Sequence, residues 1–367
     1  MNNKEFITPF GVFTSIVVTV IGVGIFSYPR DVTSVVGTDG WLVTIIAGIV
    51  TCLLLYIAYR AVKLNNYNKL YNMLENNFGK ILGKILALLF IASNILAISL
   101  GMRLFVEVIK MYLLQETPTE FIIIVIILTG SYLVRGEIDA LVKFNEIGFW
   151  IMFLPIVVIL LLTFNRTDFT NVLPVFDNNT VNYIKGLKTA AYSFGGIEII
   201  YVMLPFLTNK KRISNIILKS VSFITIFYVA IIIFTLAMFG KEQNKILLWP
   251  TITMIKSIDI PGSFIERWEG IVMALWIVFY FTTFTNIYYL SADIVKDMFN
   301  LKDIKISSII IIPFVYAVAL YPENIAQLYY INNTITPIFL TFSLLAVPLM
   351  LFFGKKLRQK RRQEEVQ

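Results

Sequence analysis

The backbone groups of two glycine-rich stretches have the clearest capacity for binding chemistry. Residues 22–30 read GVGIFSYPR, and residues 193–198 read SFGGIE. Each stretch interrupts a long apolar run, and a helix that breaks inside lipid leaves N–H and C=O groups that need partners. The resulting half-helix ends attract a carboxylate at an N-terminus and an ammonium group or a cation at a C-terminus. A small zwitterion such as an amino acid suits both ends.

We therefore expect ligand contacts in both stretches. Glycines in membrane helices often serve only close packing, and this is the alternative for either stretch alone. Two breaks at matching positions in the two halves of the chain favour a shared binding site. The predicted contacts in these stretches are Gly22, Val23, Gly24, Ile25, Phe194, Gly195, Gly196 and Glu198.

Glu198 is the most deeply placed ionisable residue in the apolar segments. A carboxylate inside a membrane is commonly functional, either as a group that takes up a proton or as the partner of a ligand ammonium. The alternative is a structural hydrogen bond to a neighbouring helix.

Two other apolar segments carry small or polar side chains that could border the same pocket. Ser93, Ala97 and Gly101 recur every four residues on one helical face, which indicates either room for a ligand or close helix packing. Hydroxyl and amide groups cluster near residues 282–286, although a threonine can also bond the i−4 carbonyl of its own helix. From these segments we predict ligand contacts at Ser93, Ala97, Thr282, Thr283 and Asn286.

Three further charged residues are predicted to have gating or structural roles. Arg103 and Glu107 are four residues apart, a spacing that favours a local ion pair. Arg30 follows the first glycine-rich stretch directly and precedes Asp31, so we expect it to lie outside the pocket.

The composition indicates an integral membrane protein. Of the 367 residues, 57% are apolar. The chain has no histidine and one cysteine, so we expect no metal site, no cofactor, no disulfide and no catalytic thiol. We interpret the net charge of +8 as a feature of membrane topology and expect no nucleic-acid partner. The N-terminus lacks a signal-peptide cleavage pattern, so the first apolar segment is expected to stay in the mature protein.

Ten segments are apolar enough to be membrane-spanning helices, since a bilayer core needs roughly 20 apolar residues. Most of the Lys and Arg residues fall on one side of this arrangement, which predicts that both termini are cytoplasmic. The predicted segments lie between Glu5 and Arg30, Asp39 and Arg60, Lys84 and Arg103, Glu120 and Arg135, Glu146 and Arg166, Lys188 and Lys210, Lys219 and Lys241, Glu269 and Asp293, Lys305 and Glu323, and Glu323 and Lys355.

The two glycine-rich breaks fall in the first and sixth of these segments. A repeat unit with five spans inserts its second copy upside down, so the pattern predicts an inverted repeat. We expect one transmembrane domain over residues 1–367, with repeat halves at about 6–166 and 185–354. The basic tail, residues 355–367, is expected to anchor the topology on anionic lipid, with a dedicated lipid or protein site as the alternative.

Six motifs along the chain resemble the B subunits of bacterial spore germinant receptors, which belong to the amino acid/polyamine/organocation transporter superfamily. Their order and approximate spacing are those of the family. The motifs are GVGIFSYPR at 22–30, DGW at 39–41, FGGIE at 194–198, LLWPTI at 247–252, FIERWEG at 264–270 and FTTF at 281–284.

This resemblance implies an all-α fold of ten transmembrane helices, of the leucine-transporter type, with helices 1 and 6 discontinuous. It also implies a place in the inner membrane of the spore, assembly with an A subunit and a C lipoprotein, and a small germinant bound between helices 1, 3, 6 and 8. The pocket positions it implies are Gly22, Gly24, Ala97, Gly195, Gly196, Thr282 and Thr283. The fifth segment lacks the deep lysine that some proton-coupled relatives carry.

Three functions are compatible with these features. The first is a germinant-sensing receptor subunit, and the second is an amino-acid transporter coupled to protons or sodium. The third is a scaffold or ion and water conduit within a receptor complex. No nucleophile and base pair supports an enzyme.

Overall fold

The computed structural model describes residues 6–257 and 268–364, and side chains are described except at 268–273, 275 and 357–364. The motif at 264–270 and the end of the basic tail therefore lie largely outside the described residues. The regular secondary structure of the described part is helical. The α-helices are α1 (Pro9–Val20), α2 (Tyr28–Val36), α3 (Gly40–Leu64), α4 (Leu70–Phe78), α5 (Lys80–Tyr112), α6 (Thr119–Val134), α7 (Glu137–Thr163), α8 (Thr180–Tyr192), α9 (Ile200–Met203), α10 (Ile213–Ile246), α11 (Pro250–Lys256), α12 (Trp268–Met298), α13 (Ile304–Leu320), α14 (Ile325–Thr334), α15 (Thr336–Thr341) and α16 (Val347–Glu364).

Several of these helices are long and apolar enough to cross a bilayer, so the chain is a multi-pass membrane protein. A bent pair, Thr180–Tyr192 with Ile197–Phe206, adds a broken span with a 45° bend, and Pro9–Val20, Thr119–Val134 and Ile304–Leu320 are shorter apolar helices. The number of ten spans stays a prediction. Within the described residues, the five long candidate spans are Tyr28–Leu64, Lys80–Tyr112, Glu137–Arg166, Lys210–Ile246 and Ile325–Lys356.

Both predicted breaks are present. Break 1, residues 21–27, separates α1 from α2 and contains a short 3₁₀ turn at Val23–Phe26. Pro29 lies in the first turn of α2, where its missing N–H costs no hydrogen bond. Break 2, residues 193–196, follows α8, and Gly196 has a φ of 108° that favours glycine.

A third interruption was not predicted from the sequence. The apolar stretch that begins at α14 continues through α15 into a π-helical turn at Phe342–Ala346 before α16 starts. A π-helical turn interrupts the regular hydrogen bonds between residues i and i−4. Such turns are often found at functional sites. Ser343 in this turn contacts Glu198, two residues after break 2.

Helix α1 lies in the centre of the bundle. All of its residues from Thr14 to Val20 are buried, and it packs against α7, α10 and α12. The break at the end of α1 is therefore enclosed by other helices.

Close packing of α3 on α10 depends on Gly48, because a Cβ there would lie 2.2 Å from the Thr225 hydroxyl oxygen.

The fully buried carboxylate of Asp39 fixes the connection that precedes α8. It accepts hydrogen bonds from the backbone N–H of Phe176 (2.7 Å) and Asp177 (3.2 Å), the Asn178 side-chain amide (2.9 Å) and the Tyr183 hydroxyl (2.7 Å). This network holds residues 176–183 against the start of α3.

We expect Asp39→Ala to lower the free energy of unfolding by about 3 kcal/mol, because it removes a charged carboxylate that accepts hydrogen bonds from four donors. Thermal unfolding of the purified protein in detergent measures this loss. Asp177→Ala is the matched control, since Asp177 contributes only its backbone N–H to the network. Equal melting temperatures for the two variants would contradict the role of Asp39.

Candidate functional site

The two breaks lie against each other in the centre of the protein. A Cβ on Gly196 would lie 3.0 Å from the carbonyl oxygen of Thr19, so only glycine permits this approach. The hydroxyl of Tyr228, on α10, lies 3.2 Å from the Val20 carbonyl oxygen and 3.0 Å from the Ser193 carbonyl oxygen. One tyrosine thus joins the end of α1 to the end of α8.

Tyr228 was not predicted from the sequence. Its ring packs against Tyr28, with 4.7 Å between ring centroids, and makes an edge contact of 5.4 Å with Phe194. Phe194 therefore supports this tyrosine from a buried position. The available signal was a tyrosine in the middle of an apolar span, because a buried phenol hydroxyl usually needs a hydrogen-bond partner.

The hydroxyl groups of Thr282 and Thr283 lie within hydrogen-bonding distance of a backbone carbonyl that break 1 leaves without its helical donor. In a continuous helix the Val18 oxygen would accept from the N–H of Gly22, but that N–H bonds to Val20 instead. Both threonine hydroxyls lie 3.2 Å from the Val18 oxygen. Each also lies near the Phe279 carbonyl oxygen of its own helix, at 2.9 Å for Thr282 and 3.2 Å for Thr283, which is the alternative considered above. The structure therefore provides a backbone partner for both predicted contacts.

A Cβ on Gly22 would lie 2.7 Å from the Thr283 hydroxyl oxygen, so break 1 sits directly on α12. Asn286, one turn further along α12, donates to the Thr19 hydroxyl (2.8 Å) and exchanges hydrogen bonds with Asn145 of α7. These buried amides and hydroxyls tie α1, α7 and α12 together on the side of Gly22.

A cavity of ≈ 530 Å³, here called the break cavity, opens beside both breaks. Gly24 is the predicted ligand contact in its wall, and a Cβ on Gly24 would have no heavy atom within 4 Å. The wall combines hydroxyl, amide and charged groups from α2, α8 and α14. Its lining residues are Gly24, Ser27, Asp31, Ser34, Val35, Leu104, Lys185, Lys188, Thr189, Tyr192, Ser193, Tyr329, Asn332, Asn333, Thr336, Pro337 and Leu340.

The other predicted contacts of the first break and of α5 pack against protein. Val23 is buried, and the carbonyl oxygen of Ile25 accepts a 2.8 Å hydrogen bond from Thr251. Ser93 donates to the carbonyl oxygen of Phe339 (3.0 Å), while Ala97 is half-buried. Close helix packing, the alternative for this stripe, accounts for these contacts, and ligand contact stays a prediction.

Glu198 turns back toward its own break. Its carboxylate accepts a 2.8 Å hydrogen bond from the N–H of Gly196 and another of 2.8 Å from the hydroxyl of Ser343. A Cβ on Gly195 would lie 3.4 Å from a side-chain carbon of Leu340, so Gly195 packs near α15. Glu198 is not among the lining residues of the break cavity, and its geometry matches the structural hydrogen bond considered above.

The three charged residues with predicted gating or structural roles are all engaged. Arg30 pairs with Asp31 at 2.9 Å, and its guanidinium lies 4.7 Å from the ring centroid of Tyr329 on α14. Arg103 pairs with Glu107 at 3.0 Å, the i, i+4 ion pair that their spacing favours.

Comparison with known proteins identifies the family. The family profile described as "Spore germination protein" matches residues 6–328. The chain belongs to the spore germination protein family. Spore germination protein A2 of Bacillus subtilis (strain 168) is 28% identical over 345 residues, 93% of each chain. Spore germination protein GerQB of Bacillus cereus is 25% identical over 330 residues, 89% of each chain.

The chain also shares its fold with solved transporters. The substrate-bound, outward-open state of a Na⁺-coupled sialic acid symporter aligns with a TM-score of 0.68 at 13% identity, over 95% of this chain and 79% of that one. A manganese transporter of Eremococcus coleocola aligns with a TM-score of 0.53 at 15% identity, over 93% and 78%. The expected all-α, transporter-type fold is confirmed.

We expect Tyr228→Phe in this spore germination protein to destabilise both breaks together by about 1 kcal/mol, because it removes the hydroxyl shared by two carbonyls. Hydrogen exchange of the backbone amides at 19–24 and 193–198 should accelerate in parallel. Tyr288→Phe is the matched control, since the Tyr288 hydroxyl donates to Ser308, away from both breaks. Acceleration at only one break would contradict the shared role of Tyr228.

Proposed function

We propose that this protein is a nutrient-sensing subunit of a spore germinant receptor, which binds an amino acid or a similar small germinant beside the two breaks. The observation that carries this proposal is the break cavity, whose wall includes Gly24 of the first break and Ser193 of the second. A ligand there contacts two half-helices at once. Lys185, Lys188 and Asp31 give the wall both signs of charge, which suits a zwitterion.

Of the ligand contacts that the sequence indicated, the lining of the proposed site includes Gly24, and the site extends toward α14. Gly22, Thr283 and Asn286 form the packed side of the first break, whereas Gly24 faces open space. A ligand that fits the cavity in one arrangement of the breaks shifts the protein toward that arrangement. The shift is limited by the difference in ligand affinity between the two arrangements.

The membrane arrangement we propose has ten helices in inverted halves at 6–166 and 185–354, with both termini in the cytoplasm. The protein would lie in the inner membrane of the spore, with an A subunit and a C lipoprotein as partners. The basic tail would contact anionic lipid. In this proposal the chain binds without catalysis.

Amino-acid transport is the second candidate, because the fold is shared with a Na⁺-coupled symporter at a TM-score of 0.68. A scaffold or conduit without ligand binding is the third. A transporter would use the same breaks for alternating access, whereas a receptor needs only a change that partner subunits detect.

We expect Gly24→Leu to raise the germinant concentration for half-maximal spore germination at least about tenfold, because the new side chain enters the break cavity from a Cβ position that has no heavy atom within 4 Å. Dose–response curves of spores carrying the variant measure the effect. Ala92→Leu, at an exposed position on α5, is the matched control. An unchanged dose response in Gly24→Leu spores with a normal protein level would favour the scaffold function.

Purified protein in liposomes separates sensing from transport. We expect saturable binding of an amino acid from a panel of radiolabelled L-amino acids, and no concentrative uptake under a proton or sodium gradient. Gradient-driven accumulation that Gly24→Leu abolishes would instead establish a coupled transporter. Protein-free liposomes provide the background for both measurements.

A further inference from the structure

A second cavity of ≈ 560 Å³ lies between the end of α5, the start of α6, the segment before α11 and the start of α14. We call it the α5–α14 cavity. It contains none of the residues of either break. Its charged lining residues are Arg103, Glu107, Lys110 and Glu323, and Trp249 forms part of its wall.

Arg103 has hydrogen-bonding capacity that the described residues do not use. The residue is only 8% exposed, and one terminal nitrogen of its guanidinium pairs with Glu107, but its Nε–H has no hydrogen-bond partner among the described residues. A buried donor without an acceptor is costly, and native structures rarely leave one. The Nε–H lies beneath the cavity surface, so a ligand in the cavity would bind Arg103 through the terminal N–H groups of its guanidinium.

Trp249 lines the same wall and contacts α14. Its side chain is 2% exposed, and its indole N–H lies beside the Tyr329 hydroxyl, which can accept a hydrogen bond from it. The positive guanidinium of Arg103 in this wall favours a carboxylate over a purely cationic ligand.

The charges of the cavity balance. Arg103 and Lys110 are positive, whereas Glu107 and Glu323 are negative, and Lys110 is held by the Thr119 hydroxyl at 3.1 Å. An anion alone would give the cavity a net negative charge. A small zwitterion adds no net charge, and it can place its carboxylate at Arg103 and its ammonium group near the glutamates.

The two cavities are neighbours across α14. Arg103 lines the α5–α14 cavity and the next residue, Leu104, lines the break cavity. On α14, Ile325 lines the former and Tyr329, one turn later, lines the latter. The guanidinium of Arg30 also lies over the ring of Tyr329. The Arg30–Tyr329 contact thus lies at the boundary between the two cavities.

We propose that the α5–α14 cavity is a second binding site for a small amino-acid-like zwitterion, in which Arg103 binds the carboxylate. Its occupancy does not depend on the break cavity. A ligand held there lies next to Tyr329 and thus beside the break cavity.

Intrinsic tryptophan fluorescence of the full-length protein in detergent tests this site, because Trp249 is in its wall. The probes are glycine and L-alanine as zwitterions, acetate as a carboxylate and methylammonium as a cation. We expect a saturable change with a zwitterion, absent in Trp249→Phe and at least about tenfold weaker in apparent affinity in Arg103→Gln. Gly24→Leu should leave the change intact, since it fills only the break cavity.

Glu107→Gln keeps the size of the side chain and removes one negative charge, so the binding preference should move from the zwitterions toward acetate. A purely structural ion pair would not change that preference, and this variant tests the site even if Arg103→Gln fails to fold. Three results would overturn the proposal: no saturable response in the parent protein, an unchanged preference in Glu107→Gln, or loss of the response in Gly24→Leu.

Discussion

The structure depends on one constraint, that every backbone group freed by a helix break inside the membrane must find a partner within the protein. Break 1 leaves the carbonyl groups at the end of α1 without their helical donors. The threonine pair of α12 and the Tyr228 hydroxyl bond to two of these carbonyls. At break 2 the Glu198 carboxylate accepts from the N–H of Gly196. Several of the polar residues deep in this apolar protein thus lie where the broken backbone needs a partner.

This constraint also explains why the breaks are coupled. Tyr228 bonds to carbonyl groups of both breaks, and Gly196 lies against the backbone of Thr19, so a displacement of one half-helix disturbs the other. Packed elements with shared partners tend to switch between discrete arrangements rather than deform continuously. A small ligand beside the breaks can therefore influence several helices, including α10 and α12. Both sensing and transport would exploit this property, which is consistent with a germination protein that has the fold of transporters.

The two glycines of the motif GVGIFSYPR have different surroundings. Gly22 supports the tight contact of break 1 with Thr283, whereas Gly24, two residues later, borders open space. On the opposite side of break 2, Glu198 and Ser343 connect the break to the π-helical turn in the last apolar stretch. The three interruptions of regular helix thus meet in one region. Irregular backbone is tolerated at membrane depth where it is buried in protein or lines a cavity, and this protein shows both situations.

The sequence by itself determined the class of the protein, the two breaks and the family. Hydropathy and glycine or proline at fixed positions act locally, so GVGIFSYPR and SFGGIE could be interpreted without knowledge of their neighbours. The i, i+4 pair of Arg103 and Glu107 was predictable for the same reason. Only the tertiary structure decided that the threonines of α12 face the Val18 carbonyl, that Glu198 turns to Ser343, and that Tyr228 joins the breaks. These partners are far apart in the chain, and the packing of whole helices decides which of many polar groups meet.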